Sequence, residues 1–127
     1  MHILLTRPLE DSKELIPCAG QGIIAIQCRE NDQEIINILE KINDDQSRII
    51  ANAERKILKI LEGDCDTAVG VYAKIDKDLV NIKAELFSVD GKQRFFVEES
   101  ENIKMVKDLS IKIGEKLKSE SKGSYKR

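Results

Sequence analysis

The sequence predicts an α+β fold: a three-stranded antiparallel sheet with helices packed on one face. Three observations carry that expectation. Apolar residues recur at three- and four-residue intervals over 45–62 and again over 102–117, the spacing of amphipathic helices. Between these stretches Val69, Val71 and Ala73 alternate with Gly70, Tyr72 and Lys74, and Val80, Ile82, Ala84 and Leu86 alternate with Asn81, Lys83, Glu85 and Phe87, as half-buried strands do. Asp76-Lys77-Asp78 and Asp90-Gly91 supply short reversals, so the strands form a meander whose apolar face needs a helical cover.

Taken in order, residues 1–16 lack sustained periodicity and read as a connector. Gly20-Gln21-Gly22 then makes a turn into Ile23-Ile24-Ala25-Ile26-Gln27-Cys28, a short β-branched run expected as a buried strand, orphaned because no sequential partner is evident. Asn31 offers a helix N-cap with Glu34 three residues on, and Ile35, Ile38, Leu39 and Ile42 form one apolar stripe. In the 45–62 helix the stripe is Ile50, Ala53, Ile57 and Leu61, with Arg48, Arg55 and Lys56 facing outward. Gly63 is expected to close that helix in the left-handed conformation, which puts Cys65 on the loop that follows. The third strand is expected over 94–98. The last helix offers Val106, Leu109, Ile113 and Leu117 to the sheet, and residues 119–127 read as a polar, frayed tail.

Composition narrows the function. The chain has 127 residues, of which 41% are hydrophobic, enough for one modest core. Its 21 basic and 23 acidic residues give a net charge of −2, and two Tyr, three Phe and no Trp leave few stacking platforms, so nucleic acid is not an expected partner. No apolar run approaches the length of a membrane span or of a signal peptide's central region, and no membrane association is expected. Cys18, Cys28 and Cys65 are odd in number and widely spaced, which fits free thiols in a reducing, cytoplasmic setting rather than a disulfide framework. With His2 the sole histidine and no Cys-x-x-Cys pair, no metal site is expected.

The residues alone do not specify chemistry. Cys65 is the most accessible thiol by position, but it follows a helix C-terminus and is flanked by Asp64 and Asp66, which disfavour a thiolate, so an ordinary partly buried cysteine stays open as a reading. Cys28, within an apolar run, is expected in the core. Gly20-Gln21-Gly22 is either a backbone cradle for an anion or a plain tight turn. Glu34 and Glu54 are placed on solvated helix faces, and no carboxylate pair stands out as general acid and base.

Two segments taken together say more. The stretch Pro17-Cys18-Ala19-Gly20-Gln21-Gly22-Ile23-Ile24-Ala25-Ile26-Gln27-Cys28-Arg29 resembles part of porphobilinogen deaminase, also called hydroxymethylbilane synthase. Ala53-Glu54-Arg55, then Leu61-Glu62-Gly63-Asp64-Cys65, then Val69-Gly70 resemble the helix, cofactor loop and first strand of that family's C-terminal domain, in the same order and at matching separations. The likeness is specific over 17–70 and pattern-level from there to about Leu117. It implies a transferase of haem and tetrapyrrole biosynthesis that joins four porphobilinogen units into hydroxymethylbilane with release of ammonia. It further implies a dipyrromethane cofactor held covalently through Cys65, with Gln21 and Gly22 in the pocket wall.

Departures qualify what the resemblance implies. Asp64 stands where a second glycine is usual, Asp66-Thr67-Ala68 replaces a less acidic segment, and Gln27 replaces a usual glutamate. Two aspartates beside a carboxylate-rich cofactor introduce like-charge repulsion. The family's catalytic aspartate and substrate-gripping arginines belong to upstream portions, so no catalytic residue is expected in this chain. The expected organisation is the tail end of a second, α/β domain over 1–30, a C-terminal cofactor-bearing α+β domain over 31–118, and a flexible tail over 119–127. Such a chain is expected to be inactive alone and to need a complementary N-terminal polypeptide. The alternative is a non-catalytic α+β interaction module, or a remnant, with no cofactor.

Overall fold

A computed structural model describes residues 16–63 and 66–126, together with the backbone of a strand at His2–Leu5. In chain order the elements are β1 (His2–Leu5), β2 (Ile23–Ile26), α1 (Gln33–Glu40), α2 (Asp45–Leu61), β3 (Val69–Asp76), β4 (Leu79–Phe87), β5 (Arg94–Asn102), a 3-10 turn (Ile103–Met105) and α3 (Val106–Ser121). The fold is α+β, as the alternation and helical periodicity predict. The main sheet runs β3-β4-β5, antiparallel throughout, with Val71 opposite Ala84 and Ala84 opposite Val97.

That register aligns the inward residues in rows, and the core follows from it. Val71, Ala73, Val80, Ile82, Ala84 and Leu86 have no solvent exposure, and they meet Ile57 and Leu61 of α2 and Ile113 and Leu117 of α3. Complete burial of each large aliphatic side chain is worth about 1.5–3 kcal/mol relative to exposure. The helices approach closely at Gly114, where a Cβ would come within 3.0 Å of the Ile60 side chain.

Several local expectations are corrected. The strand at 23–28 is not an orphan: β1 pairs antiparallel with β2, with Leu5 opposite Ile23 and His2 opposite Ile26, so the connector read at 1–16 contains a strand. A four-residue strand is too short for periodicity to reveal. β2 is also only half-buried, with Ile24 45% exposed, and Cys28 lies just beyond it, half-buried rather than in the core. The α1 N-cap is Asp32, not Asn31; its Oδ1 accepts from the Ile35 N–H at 3.2 Å. Of the α1 stripe only Leu39 is buried, while Ile35, Ile38 and Ile42 stay exposed.

At the other end of α2 the left-handed residue is Glu62, at φ 51°, one position before Gly63. Gly63 is needed for a different reason, because a Cβ there would come within 2.7 Å of Thr67 Oγ1. β5 continues four residues past the expected end at 98, and α3 ends at Ser121 rather than 117. Residues 119–126 carry the end of α3 and a return of the chain onto the domain. Lys122 and Gly123 are both left-handed and reverse the chain, so that Tyr125 is buried and the Val89 N–H donates to the Ser124 carbonyl at 2.9 Å.

Candidate functional site

The segment before the turn docks on the open edge of β3. An edge strand leaves alternate N–H groups unpaired, and here they are taken up from two directions. The Val71 N–H donates to the Pro17 carbonyl at 2.9 Å, and the Ala73 N–H donates to Glu54 Oε1 at 2.8 Å. The main chain at Ile16 comes so close to β3 that a Cβ on Gly70 would lie 2.5 Å from the Ile16 carbonyl oxygen. Glu85, on the sheet's outer face, accepts from the Ile16 N–H at 3.1 Å and is gripped by the Arg94 guanidinium through two contacts, 2.9 Å from Nε and 2.8 Å from the second nitrogen.

Glu54 overturns its expected place on a solvated face: it has no solvent exposure. Besides Ala73, its other oxygen accepts from the Gly20 N–H at 2.7 Å, so one carboxylate ties the Gly20-Gln21-Gly22 turn to both α2 and β3. The turn is built for that approach. Gly20 and Gly22 both sit at φ 76°, a region that side chains disfavour, and the Gln21 N–H and Ile23 N–H close it onto the Cys18 and Gly20 carbonyls at 3.1 Å each. Gln21 is exposed and Gly22 half-buried, and Cys18 beside them is exposed.

The loop after α2 begins at a second constructed point. Tyr125 Oη donates to the Leu61 carbonyl at 2.7 Å, one of the four carbonyls that a helix C-terminus leaves without an intrahelical donor. Glu62 Oε2 receives Lys118 Nζ at 3.0 Å and Lys126 Nζ at 3.4 Å. The hydrogen bond from Lys118, then that from Lys126, hold the Glu62 carboxyl below its ordinary value, and Glu62 in turn raises the Lys118 ammonium. Cys65 and Asp64 lie outside the described residues. On either side of them Glu62, Gly63, Asp66 and Ala68 are exposed. Among the described residues no group of His, Cys, Asp and Glu is disposed to hold a metal ion, and no helix is long and apolar enough to cross a membrane.

The sequence places the turn and the end of α2, and misses the two groups that bond to them, Glu54 at the turn and Tyr125 at the helix end. Glu54 was detectable: in the stripe 50, 53, 57, 61 it lies four residues after Ile50 and three before Ile57, on the buried side. Tyr125 has a weaker signal, as the sole aromatic residue of an otherwise polar stretch over 119–127.

An antiparallel meander lies under two helices, with a loop from α2 to β3 and a glycine turn held on Glu54, and the chain that builds it matches one family in sequence. Residues 49–119 match the family described as "Porphobilinogen deaminase, C-terminal domain". The chain is 46% identical to the porphobilinogen deaminase of Exiguobacterium sibiricum over 81 residues, 63% of this chain and 26% of that protein. With the porphobilinogen deaminase of a Wolbachia strain from Drosophila simulans it shares 35% identity over 119 residues, 93% of this chain and 40% of that one. With that of Desulforamulus reducens it shares 30% over 102 residues, 80% and 33% of the respective lengths. The chain belongs to the porphobilinogen deaminase family, by its C-terminal domain. It spans well under half the length of these relatives.

Proposed function

We propose that this chain serves as the cofactor-bearing C-terminal part of a hydroxymethylbilane synthase, a transferase of tetrapyrrole (haem) biosynthesis acting on porphobilinogen in the cytoplasm. Residues 31–118 form the cofactor-bearing domain in this reading and residues 1–30 the end of a preceding one. The observation that carries it is the match of residues 49–119 to the family's C-terminal domain, which spans α2, the loop, the sheet and α3. Cys65 is the covalent anchor for dipyrromethane, and Gln21 and Gly22 form part of the pocket wall.

The residues around position 65 fit such a group. The described neighbours on both sides of it are exposed, which leaves room for a bulky thioether-linked substituent. They do not offer cations for the cofactor's carboxylates: Lys118 and Lys126 are held by Glu62, and Asp66 adds negative charge. Those cations come from a complementary N-terminal polypeptide, together with the carboxylate that moves protons at the pyrrole and the departing amine. When bound, the dipyrromethane supplies the primer on which the pyrrole chain grows. This chain's own part is to hold that primer at Cys65 and to keep the Gly20 turn fixed against α2 through Glu54.

The test is mass spectrometry of the protein made in a host that produces porphobilinogen, with and without a complementary upstream polypeptide. An adduct on the Cys65 peptide when the partner is present, absent from Cys65→Ser because a hydroxyl is a far poorer nucleophile, is the expected result. Turnover is expected only from the mixture. Unmodified Cys65 under both conditions would favour an interaction module instead. Turnover by the chain alone, lost in Asp64→Asn or Asp66→Asn, would move catalysis into the loop itself.

A further inference from the structure

β5 is the last strand of the β3-β4-β5 sheet and has β4 as its one neighbour there. Antiparallel pairing turns alternate residues of a strand toward the neighbour and the others away from it. The Ser88 N–H donates to the Gln93 carbonyl at 3.0 Å, and the Ile103 N–H to the Asp78 carbonyl at 2.8 Å. In the register that joins Phe87 to Arg94 and Leu79 to Asn102, these bonds put the odd-numbered residues of β5 on the β4 side. The main-chain groups of Arg94, Phe96, Glu98 and Ser100 therefore point to the open edge, where no hydrogen bond takes them up among the described residues. We propose that this edge docks a second copy of the chain, extending the sheet across a two-fold axis at Phe96.

An unpaired row of N–H and carbonyl groups is a template for another strand, and charged side chains usually blunt it. Here the charges change sign about an aromatic residue. On the outer face Arg94 is 52% exposed, Phe96 44% and Glu98 43%, and the Arg94 guanidinium lies 5.1 Å from the centre of the Phe96 ring. An antiparallel copy presents the same residues in reverse. Centred on Phe96, it sets Arg94 of each copy opposite Glu98 of the other and Phe96 opposite itself, where cross-strand pairs attract. The edge N–H groups of 94, 96 and 98 then meet the carbonyls of the same three positions. On the inner face Phe95 falls opposite Val97, so the apolar rows continue across the axis.

Neighbouring registers lack this match. A centre on Arg94, Glu98 or Glu99 opposes like charges, and one on Ser100 opposes Glu99 to Glu101. A centre on Val97 faces Phe96 with a carboxylate, and one on Phe95 leaves only residues 94–96 of the strand paired. Glu99, on the inner face, is already taken by Lys112 at 2.6 Å and Lys116 at 3.9 Å. The contact is isologous and closes at two chains. It is small, so the dimer is reversible. None of this depends on a cofactor at Cys65.

The experiment is sedimentation velocity of the full chain from about 5 to about 500 μM, with amide exchange measured at both ends of that range. A reducing buffer keeps exposed Cys18 from linking two chains. The expected result is a monomer that becomes a dimer as concentration rises. Exchange at the Arg94, Phe96 and Glu98 N–H groups should slow about tenfold on dimerisation, while Phe95 and Val97, already bonded to β4, are unchanged. Glu98→Lys sets a lysine opposite Arg94, and Arg94→Glu sets a glutamate opposite Glu98, so each variant alone should remain monomeric. An equimolar mixture of the two should dimerise, because each copy then offers the charge that the other needs. Arg94→Glu also removes the cation from Glu85, and if that variant does not fold the wild-type exchange comparison decides without it. A wild type that stays monomeric at about 500 μM overturns the proposal. So does a dimer that survives Glu98→Lys, or one lost in Ile38→Glu instead, which would put the contact on the exposed stripe of α1.

Discussion

Glu54 shows what a single misplaced oxygen would do. Its two oxygens each accept a backbone N–H, from Gly20 and from Ala73, with no solvent exposure. In Glu54→Gln one of those positions becomes an amide nitrogen facing an N–H donor, so a bond is lost and two donors oppose each other. We expect a loss of about 2–3 kcal/mol in urea unfolding, because buried charge-assisted bonds are worth more than neutral ones. A loss within about 0.5 kcal/mol, the range of ordinary surface substitutions, would mean that the carboxylate is not structural. Ser124 is the opposite case: its hydroxyl is buried and makes no hydrogen bond among the described residues. Ser124→Ala should therefore be neutral or stabilise by up to about 1 kcal/mol, and a loss of 2 kcal/mol or more by the same assay would reveal a hidden partner. The contrast also marks the limit of reading single residues from sequence. Position 54 falls on the buried face by spacing, but that a glutamate there is satisfied depends on Gly20 and Ala73, brought together only by the fold.

At the scale of elements, the legible parts were those whose order is local. The inward rows Val80, Ile82, Ala84, Leu86 and Leu109, Ile113, Leu117 follow from periods of two and of three to four, and all are buried. What periodicity cannot encode is which surface covers a face. The α1 stripe has the right spacing but leaves Ile35, Ile38 and Ile42 exposed, while Gly70 and Glu85, on the sheet's outer side, are buried under the segment at Ile16 and Pro17. The second surprise comes from contacts between residues far apart in the chain. The docking of that segment makes Gly70 sensitive: in Gly70→Ala the new methyl meets backbone, the Ile16 carbonyl at 2.5 Å, which cannot turn aside as a side chain could. We expect Gly70→Ala to cost about 1–3 kcal/mol by overpacking and to raise exchange at the Val71 N–H, which loses the Pro17 carbonyl. Faster exchange spread evenly over β3, β4 and β5 would show instead that the whole sheet had weakened.

For the whole molecule, two segments outside the sheet and helices are fastened back onto them, and they are fastened by different chemistry. The 16–22 segment is held by backbone bonds and buried carboxylates, whereas the tail is held partly by exposed charge at Glu62. The charge at Glu62 makes the tail sensitive to pH. The lysines keep the Glu62 carboxyl below its ordinary 4.5, so folding binds fewer protons there than the unfolded chain does. The stabilisation is fully present above pH 4.5 and is lost as pH falls through the lower, folded value. Lys118 works in the other direction: its ammonium is raised above the ordinary 10.5, so its contribution is complete below that pH and disappears as pH rises through the folded value. Asp44 at the α2 N-cap and Asp90 in the β4-β5 turn are also held low, chiefly by hydrogen bonds from Ser47 and Ser88, and they add to acid lability in the same window below 3.8. The lysine part is separable. The Tm difference between the wild type and the variant carrying Lys118→Ala and Lys126→Ala should be constant through neutral pH, begin to narrow below 4.5 and close as pH falls through the folded titration of Glu62, below which Glu62 is neutral in both proteins. Asp44 and Asp90 titrate alike in the two and cancel. A difference that persists at pH values below the folded titration of Glu62 would show that the lysines stabilise the tail by packing their methylene stems and not by charge.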